Sequence, residues 1–301
     1  MTRRRRWGVA VLALLVAGAA PRDAGAQRLN PMIALLEAGE TVFGPIWGDK
    51  SPDGGVAVSR NNELDYIFYD MEHAPLDITQ MRTFMQFMVD PGRILRRGQP
   101  GWERTVLVRI PAYGREMNQW MIKNILDQGA HGIIAPHIET AEQALHVVRS
   151  MRYPQRVGAA DMEPAGQRGS GAGNATRFWG VGGGDYLAKA DLWPLDPDGE
   201  LLVMIQIENQ LGVANVEEIA RVPGVSMLMA APSDLGMAYG GDGEAAERAI
   251  QRILAVSKAA GIPCAITASV RDVERRVEEG FRVIIASGQA VTIGRRAAGR
   301  E

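Results

Sequence analysis

The sequence predicts a single (β/α)8 barrel. Three observations carry that expectation. Beyond residue 27, strand-type and helix-type runs alternate until eight strands have been passed. Several of the strand runs are apolar throughout, as strands covered on both faces must be. The stretch 27–301 is also the length of one such barrel, about 250 residues in the typical case.

In order, Thr41 to Trp47 reads as the first strand and Pro52 to Arg60 as a short helix. Asp65 to Asp70 is a strand ending in a charge. Asp77 to Val89 follows as a helix whose apolar stripe is Ile78, Met81, Phe84, Met85 and Met88. Thr105 to Ile110 is a strand stopped by Pro111, and Arg115 to Gln128 is a helix closed by Gly129. Gly132 to Pro136 is the fourth strand. Thr140 to Met151 is a helix with a threonine N-cap and Glu142 in its first turn. Tyr153 to Glu200, rich in Gly, Pro and Asp, reads as one long irregular stretch. Inside a compact domain such a stretch is more often a functional loop or lid than a linker. Leu201 to Ile207 and Val225 to Ala230 are strands flanking a helix at Asn215 to Ala220. The alternation ends with a helix (Glu244 to Ala260), a strand (Pro263 to Thr267), a helix (Val270 to Glu279) and a strand (Arg282 to Ala286). A doubly wound open sheet is the alternative. No Gly-x-Gly-x-x-Gly follows the first strand, which disfavours a dinucleotide fold, and Gly182-Gly183-Gly184 follows no strand.

Composition removes some functions. With 33 Lys and Arg against 35 Asp and Glu, the net charge is −2, which argues against a nucleic-acid-binding surface. The single cysteine, Cys264, allows neither an intramolecular disulfide nor a cysteine-based metal site. In the run Ile262-Pro263-Cys264-Ala265-Ile266 it reads as a small buried hydrophobe. Residues 1–26 stand apart. Arg3 to Arg6 form a basic region, Trp7 to Ala20 an apolar one, and Ala24-Gly25-Ala26 a small-residue cleavage site before Gln27. This pattern predicts a secretory signal peptide and an exported chain, periplasmic or secreted, with no membrane attachment after cleavage. An uncleaved anchor is the alternative. Thr2-Arg3-Arg4 also permits a twin-arginine signal.

In a (β/α)8 barrel the chemistry gathers at the C-terminal ends of the strands. Applied here, that rule collects Asp70 followed by Glu72 and His73, then Arg109, then Gln206 and Glu208, then Ser233 and Asp234. Glu208 and Asp234 would lie on adjacent strands. Two carboxylates with positions left for water and substrate oxygens suit a hard divalent cation, although each could instead cap its following helix. His73 is read as the imidazole at a strand end and a candidate general base, since imidazole titrates near neutrality. His131, His137 and His146 are read as structural. Arg109 can stabilise a developing enolate or alkoxide, or pair with Asp70 or Glu72, or both.

The string Asp70-Met71-Glu72-His73-Ala74-Pro75 resembles the Asp-x-Glu-His-x-Pro signature of HpcH/HpaI aldolases. The resemblance continues through Val108-Arg109-Ile110-Pro111, Ile125-Leu126-Asp127-Gln128-Gly129-Ala130, Gly132-Ile133-Ile134-Ala135-Pro136, Arg152-Tyr153-Pro154, Gln206-Ile207-Glu208, Val222-Pro223-Gly224-Val225 and Ala231-Pro232-Ser233-Asp234-Leu235. It covers nearly all of residues 27–301 in order. It implies that Glu208 and Asp234 bind the metal, Mg²⁺, Mn²⁺ or Co²⁺. It implies that Gln206 and the backbone around Ser233 hold a pyruvate carboxylate, and that Arg109 stabilises the transition state. His73 becomes the base, and Asp127 the aspartate that raises its basicity. Two departures stand out. Ala231 occupies a position usually held by glycine, and the stretch after Tyr153-Pro154, expected to border the mouth, is lengthened by an insert with Asp161 and Glu163.

The implied activity is retro-aldol cleavage of a 4-hydroxy-2-keto acid to pyruvate and an aldehyde, with a small 2-keto acid and further copies of the chain as partners. An oxaloacetate-type decarboxylase needs the same groups. A CoA-ester lyase would need a basic cluster for the nucleotide, and none lies near the strand ends. An exported keto-acid-binding protein without turnover would have no need of His73.

Overall fold

The computed structural model describes residues 28–98, 102–111, 119–160 and 162–300. The expected signal peptide at 1–26, Asp161 and part of the segment before Gln119 lie outside them. No helix among the described residues is long and apolar enough to cross a membrane.

The strands are β1 (Val42–Gly44), β2 (Tyr66–Asp70), β3 (Thr105–Arg109), β4 (Gly132–Ala135), β5 (Leu202–Ile207), β6 (Met227–Ala230), β7 (Cys264–Thr267) and β8 (Val283–Ile285). They form one parallel sheet in the order β1-β8-β7-β6-β5-β4-β3-β2. A parallel bridge between Ile46 and Phe68 joins its two ends. There Phe68 N donates to Pro45 O at 3.1 Å and Trp47 N to Phe68 O at 3.0 Å. The closure needs Gly44, because a Cβ at that position would sit 2.3 Å from the Tyr66 carbonyl oxygen. The helices are α1 (Pro31–Glu37), α2 (Pro52–Arg60), α3 (Ile78–Met88), α4 (Pro91–Arg97), α5 (Gln119–Asp127), α6 (Ala141–Met151), α7 (Gly173–Trp179), α8 (Gly183–Lys189), α9 (Gln210–Ala214), α10 (Val216–Ala220), α11 (Pro232–Ala238), α12 (Gly243–Ala260), α13 (Val273–Glu279) and α14 (Gln289–Ala297). The chain is thus a single-domain (β/α)8 barrel, as the alternation predicts.

Side-chain parity along each strand builds two apolar layers. Tyr66, Phe68, Leu107, Ile134, Leu202, Met204, Met227 and Val283 fill the barrel interior. Ile67, Tyr69, Val106, Val108, Ile133, Val203 and Ile205 face the helices. The interior rows on β2, β3 and β5 run on, by the same parity, to Asp70, Arg109 and Gln206 at the C-terminal end. Alternation alone therefore aims these polar groups into the mouth.

The other end is closed by α1, which the sequence did not reveal. Met32, Ile33 and Leu36 join the interior cluster. The buried Glu200 fixes this plug, accepting from Leu29 N at 3.1 Å and Asn30 N at 2.9 Å. Helix α6 starts as expected, with a Thr140–Gln143 capping box.

The stretch 153–200 departs from expectation. It carries α7 and α8, and Trp179 and Tyr186 are fully buried. Gly182 is the N-cap of α8, so the glycine run starts a helix. The stretch joins α6 to the start of β5, and Arg28 donates to its Pro197 and Gly199 carbonyls at 2.5 and 3.0 Å. It therefore meets the plugged end of its own barrel and does not border the mouth. The sequence expectation failed because connections after a helix return to the strand starts, whatever their length.

Cys264 is buried on β7, and burial pushes its thiol up to about 12. Ellman's reagent at pH 8 should therefore leave the native protein unmodified and react fully once denaturant is added. Rapid labelling of the native chain would contradict this packing.

Candidate active site

The guanidinium of Arg109 organises the mouth. Its Nε and Nη2 donate to Asp70 Oδ1 and Oδ2, both at 2.8 Å, and its Nη1 lies 3.0 Å from Glu72 Oε2. Its carbon sits 4.9 Å from the Phe68 ring centre. Paired strand ends explain the geometry, since Asp70 and Arg109 are register partners on β2 and β3. Burial works to raise the Asp70 carboxyl, but Arg109 and the backbone N–H groups of Glu72 and His73 hold it below the usual range. Burial works against the charge on Arg109 as well, and Asp70, Glu72 and Glu208 more than offset it. Both groups therefore stay ionised at neutral pH. Arg109 has five N–H donors, and its two hydrogen bonds to Asp70 and ion pair with Glu72 do not use them all.

Glu72 links this pair to the next strands. Its Oε2 lies 3.6 Å from His73 Nε2 and its Oε1 3.4 Å from His137 Nε2. The imidazole of His73 is 70% exposed, whereas Glu72 is 9% exposed. His73 therefore stands at the rim with a buried carboxylate behind it. His137 reaches across to Glu208, whose Oε1 accepts the His137 backbone N–H and lies 3.3 Å from Nδ1. His137 has φ 54, the left-handed region that non-glycine residues seldom occupy. The bond from its N–H to Glu208 holds the chain there.

Glu208 Oε2 accepts from Gln206 Nε2 at 2.6 Å. The other amide atom of Gln206, Oε1, is buried and has no hydrogen-bond partner among the described residues. Burial, then the charges of Asp234 and Glu72, push Glu208 up to about 7, against the hydrogen bonds from His137 N–H and Gln206. Asp234 stands in the first turn of α11 and Ser233 is exposed beside it. Ala231 precedes them at φ −107, an ordinary extended conformation, so no glycine is required there. Beside Ser233 lies a cavity of about 480 Å³, lined also by Thr267, Ser269, Ser287 and Ile46; Arg109, Glu208 and Asp234 are not part of its lining. A larger one, about 740 Å³, lies outside the barrel between α3, α4 and α7 and touches none of these groups.

Among the described residues no three His, Cys, Asp or Glu side chains form a ready-made metal cage. The groups that are present still fit a hard cation. Glu208 and Asp234 repel each other, the Gln206 carbonyl oxygen is an unused acceptor, and every such donor is oxygen. A divalent cation would relieve the repulsion that raises Glu208.

Of the residues singled out in the sequence, Asp70, Arg109, Gln206, Glu208, Ser233, Asp234 and His73 lie at the mouth. Asp127 does not. It ends α5 near the strand starts, ion-paired with Lys123 and with Arg168 Nη2, the latter at 2.8 Å. Within one chain it does not meet His73. His131 is a packing residue as expected: burial lowers it to about 3, its Nδ1 accepts from Val106 N, and its ring stacks on Trp179. His137, read as structural, lies at the mouth between Glu72 and Glu208, since it too follows a strand end, two residues beyond Ala135. Applying the strand-end rule to β4 would have found it.

A barrel whose C-terminal face gathers an arginine, four carboxylates and two imidazoles defines an enzyme of the (β/α)8 class. The HpcH/HpaI aldolase/citrate lyase family model matches residues 56–292. The chain belongs to that family and is a carbon–carbon lyase. It is 32% identical over 279 residues to a hydroxypyruvate/pyruvate aldolase of Delftia acidovorans, covering 89% of this chain and 90% of the relative. It is 33% identical over 238 residues to a 5-keto-4-deoxy-D-glucarate aldolase of Klebsiella pneumoniae, covering 78% and 80%. Among solved structures, an HpcH/HpaI aldolase/citrate lyase family protein from Burkholderia cenocepacia matches with a TM-score of 0.67 and 27% identity, covering 87% of this chain and 94% of that one.

Proposed function

We propose that the protein is a divalent-cation-dependent aldolase that cleaves a 4-hydroxy-2-keto acid to pyruvate and an aldehyde. The observation that carries this reading is the rigid Arg109 guanidinium, clamped by Asp70 and Glu72 beside Glu208 and Gln206. Glu208 and Asp234 hold the cation, which when bound polarises the keto group of the substrate. Gln206 and the backbone at Ser233 orient the keto-acid end. His73 takes the proton from the 4-hydroxyl. The C3–C4 bond breaks, its electron pair passes to the three-carbon fragment as an enolate, and C4 leaves as the aldehyde. The N–H donors left on Arg109 carry the enolate charge until a proton returns to C3.

Residues 27–301 incubated with Mg²⁺, Mn²⁺ or Co²⁺ should release pyruvate from 4-hydroxy-2-keto acids, and a chelator should stop the release. Glu208→Gln should remove the dependence on added cation together with the activity. Release unaffected by chelator would sink the cation requirement. Decarboxylation of oxaloacetate without any retro-aldol turnover would replace the aldolase reading altogether.

A further inference from the structure

The imidazole of His137 stands among the acidic groups of the mouth, and the chemistry above does not use it. His137 follows β4, whereas Glu72 follows β2 and Glu208 ends β5. Its Nε2 lies 3.4 Å from Glu72 Oε1 and its Nδ1 lies 3.3 Å from Glu208 Oε1, so the ring separates two like charges. These three side chains do not themselves form a cation cage. The ring therefore acts on the carboxylates beside it.

The backbone shows that the side chain has a purpose of its own. At φ 54 a glycine or an asparagine would sit with less strain than a histidine. Strain of this kind persists where the surroundings hold it, and it gathers at functional sites. The turn by itself asks only for a backbone N–H directed at Glu208, and glycine would supply one. What histidine adds is the ring.

The contacts of Glu208 show what the ring adds. Its Oε2 accepts from Gln206 Nε2 at 2.6 Å. Its Oε1 accepts the His137 N–H and faces Nδ1 of the same residue. Two nitrogens of His137 thus converge on one oxygen while Gln206 holds the other, which fixes the rotation of the carboxylate. An ionised carboxylate has about four lone-pair sites, so a cation can still be received, but only from the direction these contacts leave.

We propose that His137 is a positioning residue, whose imidazole holds Glu208 in the orientation that receives the divalent cation. This rests on the cation-dependent reading of the site. Groups that orient a metal-binding side chain from behind commonly change metal affinity about 10- to 100-fold when they are lost.

The test titrates Mn²⁺ into the protein by calorimetry, with no substrate present. His137→Gly keeps the N–H and suits the left-handed turn, so it removes the ring alone. It should weaken Mn²⁺ binding about tenfold or more. His137→Asn also suits the turn and can place an amide N–H near the position of Nδ1, so it should bind Mn²⁺ within about threefold of the parent. Thermal unfolding shows whether each variant is folded, and His137→Ala replaces the Gly variant if that one is not. Mn²⁺ binding by the ringless variant within about twofold of the parent, or tighter, overturns the proposal, because the backbone N–H would then suffice. Equal weakening in the Asn and ringless variants also overturns it, because the loss would not follow the nitrogen that faces Glu208. If the folded parent binds no Mn²⁺, the cation reading itself fails and the role of His137 falls with it. The parent titration keeps that failure distinct from the other two.

Discussion

Arg109→Lys should lower kcat about 100- to 1,000-fold, the range seen when one preorganised donor to a developing oxyanion is lost. Arginine holds three positions here at once, with Asp70 taken bidentately, Glu72 at 3.0 Å and donors left over. A lysine keeps the charge but has a single nitrogen and cannot reproduce the planar fork. It can satisfy Asp70 or face the mouth, not both. Steady-state kinetics with saturating cation reads the effect, and thermal unfolding separates it from a loss of folded protein. A Lys variant retaining kcat within about threefold would mean that the guanidinium is scaffolding for Asp70 and Glu72 rather than the group that carries enolate charge.

The largest expected loss of stability lies far from the chemistry. Arg152 is fully buried and pairs with Asp191 through Nε at 2.6 Å and Nη2 at 2.7 Å, with a third bond from Nη1 to Pro164 O at 2.8 Å. Arg152→Met leaves Asp191 buried without its counter-charge, which costs about 3–5 kcal/mol. At the scale of a chain this size that is a fall in Tm of about 10 °C. The double variant Arg152→Met/Asp191→Leu should recover much of the loss, because the stranded charge goes with it. Equilibrium denaturation decides the matter. A single variant within about 1 kcal/mol of the parent would show that water reaches Asp191.

The barrel was legible because its signal is periodic. Strand runs such as Leu202–Ile205 are apolar without interruption, and the strand-end rule picked out Asp70, Arg109 and Gln206. Short helices were not legible. Helix α7 (Gly173–Trp179) and α8 (Gly183–Lys189) have no side-chain N-cap and begin in glycine, so their helicity comes from burying Trp179 and Tyr186. Helix α1 was missed for a related reason: seven residues give too little periodicity, and its stability comes from the interior it fills. His137 and Glu72 illustrate a different gap. The strand-end rule reaches both positions, but no sequence spacing reports that His137 lies between Glu72 and Glu208.

With Met32, Ile33 and Leu36 corking one end of a filled interior, the described residues make the barrel a cup that opens at the strand ends. Traffic in and out must share that rim. Gln206 is almost fully buried, so a fragment seated against it should be the first to arrive and the last to depart. The packed interior and its cork together set that order of comings and goings, because neither leaves a second way out.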